Sequence, residues 1–332
     1  SAGGAVRIGE NATASFSNSN FSDNQARTDG GAVAAKAGSK PSFAFCDFKS
    51  NTADRNGGAV ASSGSAGLTI SRSSFNTNSG GQYGGAVYFS DHAAGQQIAN
   101  SVFVYNRAVY GGAVAATGSS SVRVVNTTLV ENKAITAGGQ GGALYYDGSS
   151  GDPVANSILW GNLLPDAAGN QTDTQIFKEA GAGVLSFGRN TVEKMASGFL
   201  NISDWENIGA DPLFLDMANP MGADNKWSTA DDGLQLTANS PALNMGDNTL
   251  VPGPATMDFA GKPRIFESQN GGRVDMGAYE WQQRTTIRYV RAGATGRGTS
   301  WLDAAGDIQP LIDDPVTRKI LVAKGTYHVT GS

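Results

Sequence analysis

Cysteine, basic charge and long apolar runs are all scarce in this sequence. Cys46 is the one cysteine among 332 residues, which excludes an intramolecular disulfide framework. Lys and Arg number 24 against 29 Asp and Glu, and the resulting net charge of −5 disfavours a nucleic-acid partner. The sequence has no run of about 18 apolar residues, so we predict no direct membrane span.

Glycine, by contrast, is abundant and regularly placed. Many of the 45 glycines belong to a Gly-Gly-Ala-Val motif that recurs at intervals of 27 residues. Its copies begin at Gly3, Gly30, Gly57, Gly84 and Gly111, and a sixth copy, ending in Leu, begins at Gly141. A fixed period of this size is typical of a solenoid, in which each repeat stacks on the next.

Other positions of the repeat also keep their chemical type. Val or Leu ends each motif, and two further apolar columns follow, the second of them Phe or Leu. A column of small residues, in which Cys46 stands among Ser and Thr, lies between those two. An asparagine column closes each repeat at Asn24, Asn51, Asn78, Asn106, Asn132 and Asn162.

These columns predict the shape of one repeat. Segments such as Leu68-Thr-Ile70 and Val122-Arg-Val124 alternate with period two, which indicates strands with one buried face. We therefore predict an all-β fold, a single-stranded parallel β-helix with three short strands in each coil of about 27 residues. The apolar columns then stack inside, Cys46 is a small buried residue, and the asparagines form a hydrogen-bonded ladder at a bend. The paired glycines fit a tight corner with positive φ.

The two motifs also point to a family. Gly-Gly-Ala-(Val/Leu) combined with Phe-x-x-Asn, as at 21–24 and 48–51, resembles the repeats of chlamydial polymorphic outer membrane proteins. The resemblance covers residues 1–162. It implies a right-handed helix in an exported passenger or adhesin, at the bacterial cell surface, associated with the outer membrane, or secreted.

Residues 163–283 are predicted to hold irregular coils and then a C-terminal cap. From Asp211-Pro-Leu-Phe-Leu to Asp275-Met-Gly-Ala-Tyr-Glu the sequence resembles the C-terminal module of the bacterial choice-of-anchor Q proteins. That resemblance also implies a surface or secreted protein. Asp258, Arg264 and Asp275 are expected to make charge-assisted bonds that hold loops over an open coil end.

Residues 284–332 resemble the opening of another β-helix module. Asp303 suits a helix N-cap, a capping helix of two to three turns is predicted after it, and 319–323 reads as a buried strand. Because the chain also opens inside the repeat pattern, we expect a fragment of a tandem array. The alternative is head-to-tail association, so the predicted partners are adjacent modules or other copies, end to end.

Catalysis is not predicted from these residues. A glycosidase needs two carboxylates across a sugar bond, and the scattered Asp and Glu do not recur in a column. His92 and His328 are expected to be solvated. We therefore predict a non-enzymatic adhesin or stalk. The alternative is a carbohydrate-active β-helix, either a polysaccharide lyase or a glycoside hydrolase, or a glycan-binding module.

Two groups of residues are candidates for binding. Asp224, Asp231 and Asp232 lie in an acidic loop whose oxygens suit Ca²⁺, although an ordinary capping turn is the alternative. No other cofactor is predicted. Six tyrosines near the corners of the fourth to sixth coils suit sugar rings or surface proteins of host or neighbouring cells, with lateral packing between rungs as the alternative. They are Tyr83, Tyr88, Tyr105, Tyr110, Tyr145 and Tyr146.

Overall fold

A computed structural model shows parallel strands wound into a solenoid. It describes residues 2–64, 67–91, 95–147, 153–165, 168, 171–173, 175–179, 185–193, 202–253, 256–266, 272–282, 286–296, 301, 302, 304–312 and 317–326. His92, Asp303 and His328 lie outside these residues. We number the coils from one to six by the glycine pair that opens each of them.

Each regular coil contributes one strand to each of four sheets. The first sheet follows the glycine pair and contains Val6–Ile8, Val33–Ala35, Val60–Ser63, Val87–Ser90, Val114–Thr117, Leu144–Tyr146 and Ile176–Lys178. The second sheet contains Thr13–Ser17, Lys40–Ala44, Thr69–Ser71, Gln96–Ala99, Val122–Val125, Val154–Ala155, Leu185–Gly188 and Ile202–Trp205.

The third and fourth sheets flank the asparagine column. The third sheet contains Asn20–Ser22, Asp47–Lys49, Ser74–Asn76, Val102–Val104, Thr128–Val130, Ile158–Trp160 and Thr191–Val192. The fourth sheet contains Gln25–Ala26, Thr52–Ala53, Ser79–Gly80, Arg107–Ala108, Lys133–Ala134, Leu163–Pro165 and Gln171–Asp173, the last of them antiparallel. Each regular coil therefore has four strands, and the prediction of three was wrong. The sequence did not reveal the fourth strand because it is only two residues long in most coils and carries no apolar pattern.

The predicted columns stack in register inside the coils. Phe21, Phe48, Phe75 and Phe103 lie one above another with ring centroids 4.8, 4.6 and 4.5 Å apart. These spacings equal the separation of neighbouring strands, so each ring repeats with its backbone. The Val column of the first sheet and the Phe and Ile column of the second complete a continuous core.

The asparagine ladder and the glycine corners hold the bends. Asn51 donates its side-chain N–H to Oδ1 of Asn78 at 2.9 Å and to the carbonyl of Phe21 at 2.8 Å, and the other coils repeat this pattern. In the corner of coil four, Gly84 has φ of 64°, and a Cβ on Gly85 would collide with the carbonyl of Gly112. Both predictions are confirmed, and Cys46 is buried as expected.

The pattern continues in less regular form after Asn162. Ile176–Lys178, Leu185–Gly188 and Thr191–Val192 extend the first three sheets, as predicted for this stretch. Ile202–Trp205 then adds a last strand to the second sheet. The asparagine ladder ends where Asn162 donates to Gln175 Oε1 at 2.6 Å.

We call residues 211–281 the flank module. Its described residues contain little regular structure apart from a 3₁₀ turn at Asn248–Leu250. The module packs on the outer face of the third sheet, where Leu234, Phe259 and Tyr279 contact Val104 and Val130. We predicted that it would cover an open coil end. The prediction was wrong about its place, because the apolar surface that it buries lies along the side of the coils.

Within the flank module, Arg264 is 1% exposed and bonds to backbone and acid groups. It donates to the carbonyls of Ala278 and Asp275 at 2.9 and 3.0 Å, and its Nη2 lies 3.2 Å from Glu280 Oε2. Asp275 in turn accepts the backbone N–H groups of Asn244 and Trp281. These charge-assisted bonds tie the irregular loops together, as the sequence indicated.

The chain divides into two compact units, Ser1–Trp281 and Gln282–Ser332. In the second unit Thr286–Val290 pairs in parallel with Thr317–Val322, and the helix Gln309–Ile312 lies between them in the chain. The described helix is one turn long rather than the predicted two to three turns. The hydrophobic core of the second unit consists of Val290, Ala305 and Leu311. No helix among the described residues is long and apolar enough to cross a membrane.

Candidate functional site

Four of the six candidate tyrosines come together outside the first sheet. Ring centroids of Tyr83 and Tyr110 are 5.0 Å apart, and those of Tyr110 and Tyr145 are 5.2 Å apart. Tyr88 lies 5.7 Å from Tyr83, and Phe177 continues the row 5.7 Å beyond Tyr145. We call Tyr83, Tyr88, Tyr110, Tyr145 and Phe177 the aromatic row.

The geometry of the coils explains this row. Tyr88, Ala115, Tyr145 and Phe177 are in register at an outward position of the first sheet, while Tyr83 and Tyr110 precede the glycine corners of neighbouring coils. Tyr83, Tyr88 and Tyr110 are half-buried, whereas Tyr145 is buried. The tyrosines therefore pack laterally against neighbouring rungs, which was the alternative interpretation. The rings of Tyr83, Tyr88 and Tyr110 still reach solvent.

The other two tyrosines lie elsewhere. Tyr146 points inward, where it joins the core and is 2% exposed, because neighbours along a strand face opposite sides. Tyr105 is 38% exposed, in a turn after the third sheet with φ of 57°. Grouping all six by their closeness in sequence was therefore wrong for these two.

A groove continues the aromatic row toward the earlier coils. Its cavity of about 210 Å³ is lined by Tyr88, by the outward alanines Ala34 and Ala61, and by polar side chains that include Asn56 and Arg55. Ala34, Ala61 and Tyr88 occupy the same outward register position on successive coils. The small alanines thus leave room beside Tyr88, and the sequence columns did not single out this groove.

Two carboxylates stand on adjacent rungs at one end of the aromatic row. Asp147 and Glu179 directly follow the paired residues Tyr146 and Lys178. Glu179 Oε2 accepts the Tyr145 hydroxyl at 3.1 Å, and Asp147 Oδ1 accepts the backbone N–H of Gly118 at 2.8 Å. Burial raises the pKa of Asp147, and the nearby Glu179 adds to this increase. The sequence reasoning missed this pair because insertions after Gly141 hide its register.

Burial and Glu179 also raise the pKa of Tyr145. Its phenol therefore keeps its proton at neutral pH and remains a hydrogen-bond donor to the Glu179 carboxylate. The arrangement places an acid pair, a phenol and a stacked aromatic surface on one side of the solenoid. Such a surface suits a polar ligand with flat apolar faces, since aromatic rings stack on those faces and the carboxylates accept hydrogen bonds from hydroxyl groups.

The carboxylates of the acidic loop accept hydrogen bonds from nearby groups of the protein. Asp231 accepts backbone N–H groups of Ala223 and Asp224 at 2.7 and 3.3 Å, and Asp232 accepts the Tyr279 hydroxyl at 2.8 Å. Asp224 caps the N–H of Lys226 at 2.9 Å. In the described part of the chain, no three His, Cys, Asp or Glu residues are grouped to hold a metal ion.

These hydrogen bonds are those of a capping turn, the alternative to Ca²⁺. Burial raises the pKa of Asp232 to about 6, which a bound cation would oppose. Calcium at Asp224, Asp231 and Asp232 stays a prediction. A melting experiment with and without a chelator tests it, with Asp231→Ala as the variant that should remove any effect of the chelator.

The stacked coils form a right-handed single-stranded parallel β-helix. Over residues 1–129 the sequence matches the family model described as the right handed beta helix region. We found no curated protein that matches the sequence.

Proposed function

We propose that this protein is a non-enzymatic repeat protein of the bacterial cell surface or extracellular space, and that the aromatic row binds glycans or surface proteins. The observation that carries the proposal is the position of the row. Tyr83, Tyr88 and Tyr110 expose ring surface on the outside of a solenoid whose interior is already filled by other columns. Since tyrosine joins an apolar ring to a polar hydroxyl, it stacks on sugar rings and on protein surfaces.

Location and assembly are part of the same proposal. The resemblance to polymorphic outer membrane proteins and to the choice-of-anchor Q module supports export to the cell surface. The resemblance of residues 284–332 to the opening of a further β-helix module supports end-to-end assembly, so adjacent modules or other copies are the proposed partners. A sedimentation series over concentration tests self-association, and a strictly monomeric chain rules out assembly between copies.

A glycan array with the whole chain tests the binding face. Tyr110→Ala removes a half-buried ring from the middle of the row, and we expect it to weaken binding about tenfold, since a ring on an exposed face contributes roughly 1 kcal/mol or more. Tyr105→Ala is the matched control, because that tyrosine is exposed away from the row. Equal binding by the wild-type chain and by Tyr110→Ala would refute the proposal.

A carbohydrate-active enzyme is the second candidate, and the Asp147 and Glu179 pair favours it. Glycosidases use two carboxylates, one as acid and one as base or nucleophile, and this pair lies on adjacent rungs beside an aromatic surface. The raised pKa of Asp147 suits an acid. Release of reducing or unsaturated ends from polysaccharides, lost in Asp147→Asn, supports this candidate. Binding that persists in Asp147→Asn without any product supports the non-enzymatic protein.

A further inference from the structure

A second cleft lies on another side of the molecule, where the flank module overhangs the first three coils. Its cavity of about 480 Å³ is bounded by Phe45, Lys49 and Arg72 on the coils and by Lys226, Trp227 and Phe259 on the module. This volume lies within the range of small-molecule sites. The cleft shares no residue with the aromatic row.

Aromatic rings form part of the wall of this cleft. Phe45 is 41% exposed and occupies a turn position with φ of 55°, where the following coils carry Arg72 and then asparagines. Trp227 packs edge-on against Phe259, with centroids 5.9 Å apart. An exposed phenylalanine at a strained turn position contributes nothing to the core, so it needs a reason outside the folding of the coil.

The charge in the cleft is positive, unlike that of the whole chain. Arg72 lies 4.0 Å from the centroid of the Phe45 ring, and its guanidinium forms no hydrogen bond or ion pair within the described residues. The side-chain ammonium groups of Lys49 and Lys226 likewise have no carboxylate within ion-pair distance in the part of the chain that the structure describes. Three cations therefore line one cavity.

The acids near these cations are already engaged. Asp47 lines the cleft but accepts the Ser74 hydroxyl, and burial raises its pKa. Asp258 lies close enough to Arg72 to act on it electrostatically. Its oxygens accept the backbone N–H groups of Lys262 and Glu280 at 2.7 and 2.8 Å. The cleft thus keeps an excess of positive charge.

We propose that this cleft binds an anionic saccharide. The three cations bind its carboxylate or sulfate groups, the exposed Phe45 ring and Trp227 contact the apolar face of a sugar ring, and the amides of Asn18, Asn20 and Asn225 bond its hydroxyls. A neutral sugar would leave the cations unpaired. The proposal is independent of the aromatic row, because the two sites lie on different sheets.

Calorimetric titration of the whole chain tests this site. The probes are a hexameric oligogalacturonate, its neutral methyl ester and a sulfated oligosaccharide of the same length. We expect binding of at least one anionic probe and at least tenfold weaker binding of the ester. Lys226→Gln should weaken anion binding about tenfold, the change expected for one charge-assisted bond. Lys40→Gln, an exposed charge on the second sheet, should leave it unchanged.

The three probes also separate the sources of the anionic group. Preference for the oligogalacturonate assigns a carboxylated sugar, and preference for the sulfated probe assigns a sulfated one. Failure of both anionic probes to bind overturns the proposal. So does equal affinity for the ester, or an equal loss in Lys226→Gln and Lys40→Gln. Binding that is lost in Tyr110→Ala but kept in Lys226→Gln places the ligand on the aromatic row and also overturns it.

Discussion

The outer face of the third sheet differs between the first two coils and coils four to six. In the first two coils its outward residues are polar and at least partly exposed, as Asn20, Ser22 and Lys49 show. In coils four to six the same register positions carry residues that are mostly apolar and almost all buried: Val102, Val104, Thr128, Val130, Ile158 and Trp160. The flank module packs directly on the second set, whereas the first set faces solvent or the cleft beneath the module.

Coil three marks the boundary between these regions. Ser74 and Asn76 are buried but polar, and Asn76 donates to the Met221 sulfur of the module at 3.8 Å. A solenoid strand needs one apolar face for the interior. A second apolar face therefore indicates an additional layer of structure, which here is 211–281.

The largest loss of stability is expected when a buried apolar residue under the module is replaced by a charged one. Val130→Asp places a carboxylate under the module and should lower the free energy of unfolding by about 4 kcal/mol, because a buried unpaired charge is costly. Ser22→Asp puts the same side chain in the same column on an open coil and should change it by less than about 0.5 kcal/mol. Urea unfolding followed by tryptophan fluorescence measures both. Similar losses in the two variants would contradict a covered and an open region.

A smaller effect is expected at the turn between the second and third sheets. Asn156 donates to the Asp247 carbonyl at 2.9 Å and accepts its N–H at 2.8 Å, so Asn156→Ala should destabilise the module by about 2 kcal/mol more than its control. Asn18→Ala is that control, since Asn18 has φ of 48° against 50° for Asn156 and an exposed side chain. Hydrogen exchange of 245–250 locates the change. Identical losses in both variants would mean that only turn strain matters.

The smallest expected effect is a dependence of the module's stability on pH. Burial raises the pKa of Asp258, Asp275 and Glu280 around Arg264. The folded state therefore holds protons that the unfolded state releases, so this stability is complete below the ordinary carboxyl pKa of about 4 and declines as pH rises toward neutrality and beyond. We expect a lower melting temperature at pH 8 than at pH 5, with a smaller difference in Glu280→Gln.

The opposite trend is expected for Asp247, which lies outside that cluster. Hydrogen bonds from Thr249 lower the pKa of Asp247, and its contribution is lost only in more acidic solution. Burial also raises the pKa of Asp147 and Asp232, which therefore follow the trend of the cluster. The comparison with Glu280→Gln assigns the part of the pH dependence that belongs to the cluster. A melting temperature that does not change with pH, or that changes equally in Glu280→Gln, would rule out proton binding by these acids.

The interior of the coils could be predicted from the sequence because each column repeats one chemical type. Phe48 and Phe75 stack, Asn51 and Asn78 bond, and Gly84 turns with positive φ, all as the period indicates. The period carries no such information about the outside. Tyr146 and Tyr145 are neighbours that face opposite ways, and only the strand register separates them.

The flank module and the two proposed sites depend on contacts that no repeat encodes. Val102 and Val104 did carry a signal, since both outward neighbours of Phe103 are apolar, but the residues that cover them are more than a hundred positions away. The cleft joins a turn of the second coil to a loop of the module in the same way. Asp147 and Glu179 are 32 positions apart, outside the period of 27, so counting could not align them.

The asparagine ladder makes the solenoid electrically directional. Each amide donates to the next one along the axis, from Asn24 through Asn162 to Gln175, so their dipoles all point the same way. Aligned dipoles polarise one another, and every added member makes the following bond stronger. The free energy gained by adding a coil should therefore increase as the solenoid lengthens, as in nucleated growth.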